Sequence, residues 1–333
     1  MNTVERNHHA ILSSIAHRAM LERGLLPDFS TEALAELGRL EIPTINDDRP
    51  AGDVPGIRDM RNLLWASIDN DDSRDLDQLT VAEAVTTDTV KILVAIADVD
   101  SSVKKESAID EHARHNTTSV YTPAVIFPML PEKISTDISS LNFKEDRPAI
   151  VVEMTVGLDG SLHDSDIYRA WVHNYAKLAY NSVASWLENN GDVPEAIVAV
   201  NGLAENLRLQ DQVARGMKNL RHVQGALSLE TIETKPLFDG DQIRVLEMQE
   251  KNCAREIIEN FMIAVNGVTA RYLSDNKSPS IRRVVRTPKR WDRIVEIAAE
   301  HKFKLPELPD SKALDEFLVR QNAADPQRFP DLS

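Results

Sequence analysis

Cysteine is almost absent from the sequence, which has a single one, Cys253, in 333 residues. One cysteine excludes a disulfide within the chain, and it excludes a zinc site built from cysteine clusters. The residues on both sides of Cys253 have a helical pattern. We therefore expect a buried thiol without a chemical role.

Long apolar runs are absent as well. No stretch reaches the length needed to cross a bilayer, and the N-terminus has no signal-peptide pattern. Glycine-rich phosphate loops of the Walker or Rossmann type are also lacking, which excludes the nucleotide-binding classes that depend on them. We expect a cytoplasmic protein without a membrane partner, and the sequence indicates no protein partner.

Basic residues are outnumbered: 38 Lys and Arg face 53 Asp and Glu, for a net charge of −15. This balance argues against a dedicated nucleic-acid binder, whose affinity depends largely on basic side chains that meet phosphates. The argument is limited, because a site that uses metal needs acidic residues and because binding charge can be local. With 42% hydrophobic residues, the chain can bury the core of one large domain or two ordinary ones.

Three regions are expected along the chain. Residues 1–45 form a helical segment: one helix spans 7–24, and Ser30 or Thr31 caps a second helix that ends at Gly38. A helix-turn-helix module is one interpretation, although a basic recognition face is missing. Residues 46–58 are a linker rich in Pro and Gly, and 59–333 form the main domain. The apolar face of the first helix is predicted to contain Ile11, Leu12, Ile15, Met20 and Leu21.

The main domain is predicted to have an α+β fold with a mainly antiparallel sheet and packed helices. Runs rich in β-branched residues precede longer runs with helical periodicity. The predicted strands are Leu79–Val85, Val90–Val99, Ala149–Val156 and Leu162–Trp171, and the predicted helices are Ala176–Glu188, Pro194–Leu220, Asn252–Leu273 and residues 312–319.

The acidic segment 67–80, SIDNDDSRDLDQLT, has five aspartates within nine positions. Crowded carboxylates raise one another's pKa unless a cation lies among them, and Mg²⁺ prefers such oxygen ligands. A metal site for phosphate chemistry and an acidic surface turn both fit this composition. A phosphatase of the haloacid-dehalogenase type fits less well, because no apolar strand directly precedes Asp75 and no glycine follows Asp77.

The segment SIDNDDSRDLDQL is followed by VAIADVDSSV, NTTSVYTPAVIFPMLPEKIS, SSLNFKEDRPAIVVEMTV and NYAKLAYNSVASWLE. In order and spacing, these blocks resemble the catalytic (RNB) domain of the ribonuclease II family across about residues 60–288. The resemblance implies an α+β catalytic fold and a processive hydrolysis that depends on Mg²⁺, with Mn²⁺ as an alternative. Its substrate would be single-stranded RNA with a free 3′ end, degraded to nucleoside 5′-monophosphates.

The resemblance also assigns roles in the site. Asp69, Asp75 and Asp77 match family aspartates that hold Mg²⁺ and orient the attacking water. The fourth family aspartate falls at Gln78, which can ligate a metal through its amide oxygen but brings no negative charge. Tyr180 matches a catalytic tyrosine near the scissile end, and its alternative role is that of a core residue in a helix.

Further matches concern RNA contacts and structure. Tyr121 matches an aromatic residue that stacks on RNA, and its alternative is a tyrosine packed in the sheet with its hydroxyl bonded. Glu259 matches one position of a family acidic pair whose second position is Asn260, and a solvated helix flank is the alternative. For Arg147 we expect a structural role, and for Asp98 a buried, hydrogen-bonded strand carboxylate.

A basic segment at 281–293 reverses the local sign of the charge. Together with Trp291 it makes a plausible phosphate and stacking surface, and a solvated strand and turn paired with nearby acids is the alternative. The candidate RNA-binding residues are Arg282, Arg283, Arg286, Lys289 and Arg290.

The stretch SPSIRR at 278–283 matches the strand that follows the long helix in the family, and not the family's later catalytic arginine motif. We therefore expect a catalytic domain that is incomplete at its C-terminus and reduced in activity. A non-catalytic RNA-binding or regulatory protein on a degraded ribonuclease scaffold is the alternative.

Overall fold

Strand-forming segments in the middle of the chain build a seven-stranded sheet in the computed structural model of this protein. The structure describes residues 8–43, 56–227, 234–240, 242–248, 252–282, 289–326 and 328–329. The strands are β1 (Ile57–Asp59), β2 (Ala66–Asp69), β3 (Gln78–Ala84), β4 (Thr89–Ala97), β5 (Val120–Tyr121), β6 (Ile126–Phe127), β7 (Asp146–Gly157), β8 (Leu162–His173), β9 (Ala176–Ala179), β10 (Thr234–Asp239) and β11 (Gln242–Met248). The helices are α1 (His8–Glu22), α2 (Thr31–Leu37), α3 (Ala108–Asn116), α4 (Tyr180–Leu187), α5 (Glu195–Val198), α6 (Leu203–Val223), α7 (Cys253–Asp275), α8 (Trp291–Glu300) and α9 (Ser311–Ala324).

The sheet has the order β1-β8-β7-β4-β3-β2-β9. Its inner neighbours pair antiparallel, while the outer pairs β1–β8 and β2–β9 are parallel. The predicted hairpins β3–β4 and β7–β8 are confirmed, and the apolar β4 lies at the centre as expected. The α+β prediction with a mainly antiparallel sheet is confirmed.

Both faces of the sheet are covered, which explains why its central strands are apolar throughout. On one face, Ile92 and Val94 pack with helices α4, α6 and α7 in the larger core cluster. On the other face, Leu93 and Ala95 pack with Trp65 in a smaller cluster. The ring nitrogen of Trp65 donates to the Met60 carbonyl at 2.8 Å, so its burial leaves no polar atom unpaired.

Several predicted helical boundaries differ from the structure. Ala176–Ala179 is strand β9 and not the start of a helix, because this segment pairs with β2. The predicted helix Pro194–Leu220 is two helices, α5 and α6, separated at Gly202, whose positive φ of 84° breaks helical geometry. The hairpin β10–β11 and helix α8 were not predicted.

The N-terminal segment is attached to the main domain through α3. The side chain of Asn116 accepts a hydrogen bond from the Leu26 N–H at 2.9 Å and donates to the Leu26 carbonyl at 2.8 Å. Ala33 of α2 is fully buried in a cluster with Ile109. The Ser30 side chain caps α2, as predicted. Residues 46–55 of the linker lie outside the described residues, and β1 begins at Ile57, before the predicted end of the linker.

The expected apolar face of α1 is not buried. Ile11, Ile15 and Leu21 are exposed, and Met20 is the buried residue of the helix. Helical periodicity indicates an amphipathic pattern but does not show whether a partner covers the apolar face. None of the described helices combines the length and the apolarity that crossing a membrane requires.

Candidate active site

Two parallel strands bring residues from distant parts of the sequence to one edge of the sheet. Strands β2 and β9 pair in register, and Asp69 at the end of β2 lies opposite Ala179 at the end of β9. The next residue after β9 is Tyr180, the first of α4. The carboxyl ends of paired parallel strands face the same edge, so Asp69 and Tyr180 meet there. Sequence reasoning missed β2 and placed the whole acidic segment before the first strand.

Asp77 reaches the same edge from the opposite direction. It immediately precedes β3, which pairs antiparallel with β2, so the start of β3 lies beside the end of β2. The backbone near Asp77 is fixed: its carbonyl accepts from Ala97 N–H at 3.0 Å, and the N–H of Leu76 donates to Ser140 Oγ at 3.0 Å. The loop between the strands therefore holds Asp77 near Asp69.

The carboxylates of this cluster influence one another. Asp77 is exposed to solvent on one side, and desolvation by the neighbouring protein atoms raises its pKa to about 6. The negative charge of Asp69 contributes next, a backbone hydrogen bond opposes the shift, and Asp75 adds a smaller increase. Desolvation and the Asp69 charge raise the pKa of Tyr180 to about 12, so its phenol stays protonated at neutral pH.

The donor chemistry of the cluster fits a hard divalent cation. Within the described part of the chain, no three His, Cys, Asp or Glu side chains converge closely enough to form a complete metal-ligand set. Mg²⁺ does not require one, because it is usually held by one or two carboxylates and keeps waters or phosphate oxygens at its other positions. Asp69 and Asp77 are the two carboxylates that the geometry offers, and Asp75, exposed in the loop between them, is a third.

Gln78 occupies the first position of β3, opposite Ile96 of β4, and is buried. It lies on the same strand face as Thr80, whose hydroxyl donates to Gln210 of α6 at 2.7 Å. Strand alternation therefore directs Gln78 toward the helices, on the other side of the strand from Asp77. Its role as a metal ligand stays a prediction.

Arg255 belongs to the site although no pattern in the sequence pointed to it. It lies in the first turn of α7, where the Asn252 side chain caps its backbone N–H at 3.0 Å. Its Nη2 donates to Asn70 Oδ1 at 2.8 Å, and its guanidinium carbon lies 4.6 Å from the centre of the Tyr180 ring. The helical pattern predicted α7 but could not show which strands its first turn approaches.

Tyr121 lies on a separate two-stranded ribbon made of β5 and β6. Its side chain is 70% exposed, so the alternative of a tyrosine packed in the sheet is wrong. An exposed aromatic ring is available for stacking on a base, and that role stays a prediction.

The remaining acidic and structural candidates lie elsewhere. Glu259 is exposed and lines a groove of about 430 Å³ between α6, α7 and α9. Its neighbour Asn260 is buried and accepts a hydrogen bond from Arg221 at 2.5 Å. Asp98 is buried and pairs with Arg169 Nε at 3.1 Å, which confirms its structural role. Arg147 is buried as well, and it donates to the carbonyls of residues 137 and 146, which agrees with a structural role.

The basic segment is described only in part. Arg283 and Arg286 lie outside the described residues, as does most of the strand predicted there. Arg282 is exposed and donates to the Ala270 carbonyl at 3.0 Å, and Lys289 and Arg290 are exposed just before α8. The expectation that the neighbouring tryptophan helps to form a stacking surface is wrong, because Trp291 is buried and donates to a backbone carbonyl at 3.0 Å.

A mainly antiparallel sheet with helices on one face and aspartates at one edge defines an α+β domain with an acidic site at the rim of its sheet. The RNB domain model matches residues 57–332, and the chain belongs to this exoribonuclease family. It is 33% identical over 249 residues to Ribonuclease R of Vibrio parahaemolyticus, which covers 74% of this chain and 30% of that protein. It is 32% identical over 221 residues to Exoribonuclease 2 of Shigella flexneri, covering 65% of this chain and 34% of that protein.

Solved structures share the fold. Mycoplasma genitalium RNase R, in complex with double-stranded RNA, superimposes with a TM-score of 0.80 at 24% identity, covering 92% of this chain and 54% of that one. Yeast Ssd1, a pseudonuclease, superimposes with a TM-score of 0.63 at 11% identity, covering 84% of this chain and 34% of that one. The chain spans about a third of the length of the curated relatives that it matches.

Proposed function

We propose that this chain is the catalytic domain of a cytoplasmic, Mg²⁺-dependent 3′→5′ exoribonuclease that hydrolyses single-stranded RNA to nucleoside 5′-monophosphates. The observation that carries the proposal is the meeting of Asp69, Asp77 and Tyr180 at one edge of the sheet. Two carboxylates and a protonated phenol at one place are the groups that a metal-assisted phosphodiester hydrolysis needs.

The residues of the site would divide the chemistry among them. Bound Mg²⁺ would neutralise the phosphoryl oxygens and lower the pKa of a water. Asp69 and Asp77 would hold the cation through their carboxylate oxygens and would orient the attacking water. Tyr180, whose phenol keeps its proton at neutral pH, donates a hydrogen bond to an oxygen of the reacting phosphate.

The proposed substrate is single-stranded because the protein exposes an aromatic ring and several basic side chains that suit unpaired RNA. An exposed ring such as Tyr121 stacks on any unpaired base with little sequence preference. The exposed Arg282, Lys289 and Arg290 supply local positive charge on a protein whose net charge is −15. Mn²⁺ is the alternative cation, because it accepts the same oxygen ligands.

The test is degradation of 5′-labelled poly(A) with and without Mg²⁺, using this chain and a protein extended at its C-terminus. We expect a ladder of shortened RNA and mononucleotide product that disappears in EDTA. Asp77→Asn should lower the rate at least about 100-fold because it removes a metal ligand. Asp88→Asn is the matched control, since Asp88 is an exposed aspartate in the turn beyond the opposite end of β3. Absence of product from the extended protein would contradict the proposal.

A non-catalytic RNA-binding protein is the second candidate. It is favoured by two amides, Gln78 and Asn260, at positions where the resemblance expects acidic residues, and Asn260 is engaged by Arg221. Calorimetric titrations with Mg²⁺ and with single-stranded RNA separate the two candidates. RNA binding without Mg²⁺ binding favours this second function, and binding of both favours the exoribonuclease.

A further inference from the structure

Arg255 connects three segments that are distant in the sequence. Its own segment is the first turn of α7, where Asn252 fixes the helix start and also donates through Nδ2 to Asn181 Oδ1 at 3.2 Å. Its Nη2 reaches Asn70, directly after β2, and its guanidinium lies over the ring of Tyr180, directly after β9. One side chain thus touches the residues that follow both parallel strands.

These contacts extend to a carboxylate of the site. The backbone N–H of Asn70 donates to Asp69 Oδ1 at 2.7 Å, so the conformation of Asn70 and the orientation of the Asp69 carboxylate are coupled. The Arg255 guanidinium holds Asn70 by donating a hydrogen bond to the side-chain oxygen of Asn70. A displacement of the Arg255 guanidinium would therefore be transmitted to Asp69 through a single intervening residue.

Arg255 lies where the chain leaves the sheet, beyond the ends of β2 and β9. Asp69 and Ala179 are the last paired residues of β2 and β9, and beyond them the chain enters a loop on one side and α4 on the other. No strand pairing restrains Asn70 relative to Tyr180. Arginine suits this place, because its planar guanidinium stacks on an aromatic ring and donates hydrogen bonds at its edge at the same time.

Arg255 also brings a positive charge to this part of the site. Asp69 and Asp77 raise the pKa of Tyr180, and the charge of Arg255 opposes that increase. Its Nε is buried and makes no hydrogen bond within the described residues. A buried donor without a partner lowers the free energy of unfolding, so the placement of this guanidinium has a local cost in stability.

We propose that Arg255 is a positioning residue, which holds the Tyr180 ring and, through Asn70, the Asp69 carboxylate in one arrangement toward the RNA phosphate. Its relevance to catalysis rests on the proposed exoribonuclease function, whereas the positioning itself can be measured without activity. Arg255 makes no direct contact with substrate in this role. Its loss should therefore change turnover and leave RNA binding nearly unchanged.

The first test is hydrogen exchange measured by mass spectrometry on the intact chain. Arg255→Met should increase exchange in a peptide covering 66–77 about tenfold, because the Asn70 amide and the loop after β2 lose their restraint. Arg208→Met is the matched control. Arg208 lies 5.0 Å over the Trp186 ring of α4, so its removal deletes an arginine–aromatic contact on the same helix without touching Asn70. The control should leave exchange in 66–77 unchanged.

The second test is kinetic and uses poly(A) with Mg²⁺. Arg255→Met should lower kcat by about 10- to 100-fold, the range expected for a small misplacement of catalytic groups, with little change in KM. Arg255→Lys should behave like Arg255→Met, because lysine retains the charge but not the planar fork. Combining Arg255→Met with Asn70→Ala should cost little more than Arg255→Met alone, since Asn70→Ala interrupts one of the two contacts that Arg255→Met already removes.

The outcomes separate the two proposals. If wild-type protein binds but does not hydrolyse RNA, the proposed function fails while the exchange experiment still decides the positioning role. Unchanged exchange in 66–77, full rescue by lysine, additive losses in the double variant, or a loss confined to KM would each overturn the inference. Full activity in Arg255→Met would overturn it as well.

Discussion

Asp69 and Tyr180 lie at the same edge of the sheet because Asp69 is opposite Ala179 in the parallel pair β2–β9 and Tyr180 is the next residue. The two side chains interact electrostatically: the negative charge of Asp69 is the second cause, after desolvation, of the raised pKa of Tyr180. A phenol that keeps its proton next to a carboxylate defines what this edge can do. It can donate a hydrogen bond and hold a cation at neighbouring positions.

The first prediction concerns pH and Asp77. Its folded-state pKa of about 6 is above the ordinary value of 3.8. The folded state therefore holds this proton more tightly than the unfolded state, and the free energy of unfolding falls as pH rises from about 4 to about 6. In metal-free protein, Asp77→Asn should raise the free energy of unfolding by about 1 kcal/mol at pH 8, a value reduced for solvent screening, and change little at pH 4.

Urea denaturation in EDTA at the two pH values measures this difference. Asp88→Asn should show no such dependence on pH, since Asp88 is an exposed aspartate away from the cluster. Added Mg²⁺ should stabilise the wild type more than Asp77→Asn at pH 8, because binding to the folded state adds to its stability. A pH-independent effect of Asp77→Asn would contradict the prediction.

The second prediction concerns Gln78, which occupies the position of the fourth aspartate in the resemblance to the RNB family. Gln78→Asp should leave the Mg²⁺ dissociation constant nearly unchanged, because strand alternation directs position 78 toward the helices and away from Asp77. In EDTA the same variant should lose about 1–3 kcal/mol of unfolding free energy, because the side chain is buried. Calorimetry and denaturation measure the two effects, and Gln78→Asn is the uncharged control. A Mg²⁺ affinity about tenfold higher in Gln78→Asp than in Gln78→Asn, equivalent to about 1.4 kcal/mol, would contradict this prediction and would show that position 78 contributes to the cation site.

The third prediction concerns the attachment of α6 to the sheet. The Asn206 side chain accepts from the Ala82 N–H at 3.1 Å and donates to the Ala82 carbonyl at 2.7 Å. Asn206→Ala should lower the free energy of unfolding by about 2 kcal/mol, because it removes both hydrogen bonds from one strand residue. Asn201→Ala, in an exposed turn before α6, is the control and should be nearly neutral. A neutral Asn206→Ala would mean that solvent replaces both bonds.

The fourth prediction concerns RNA stacking by Tyr121. Tyr121→Ala should weaken binding of a fluorescent oligonucleotide by about 1–3 kcal/mol, and Tyr121→Phe should retain most of the affinity, because stacking uses the ring and not the hydroxyl. Fluorescence anisotropy in EDTA separates binding from cleavage. Tyr272→Ala is the matched control, since Tyr272 is an exposed tyrosine on α7. Equal losses in the two alanine variants would argue against a specific role for Tyr121.

Much of the sheet was predictable because its signal is local. The apolar run of β4 and the turn between β7 and β8 were correctly assigned from composition and turn residues. Helix α7 was predicted nearly to its ends, because a cap residue at Asn252 precedes a long run of helical periodicity. Strand β9 was wrongly assigned to a helix. Its four residues are too few for periodicity to distinguish a strand from the first turn of a helix.

The site was predictable only in its residue types. The acidic segment and the resemblance to the RNB family identified Asp69, Asp75, Asp77 and Tyr180 without showing how they meet. Arg255 and Asn70 were missed, since neither has a local pattern that differs from an ordinary helix start or loop residue. Trp291 was misjudged, because burial depends on which surface covers a side chain.

By itself, the sequence determined the strands at the centre of the sheet, the long helix α7 and the concentration of carboxylates between β2 and β3. These features depend on neighbouring residues, whose spacing decides which face is apolar and where a turn occurs. The tertiary structure decided that β9 pairs with β2, that Tyr180 meets Asp69, and that Arg255 approaches both. Those contacts join segments that are far apart in the chain. Many apolar surfaces have a similar composition, so the sequence alone does not show which of them pack together.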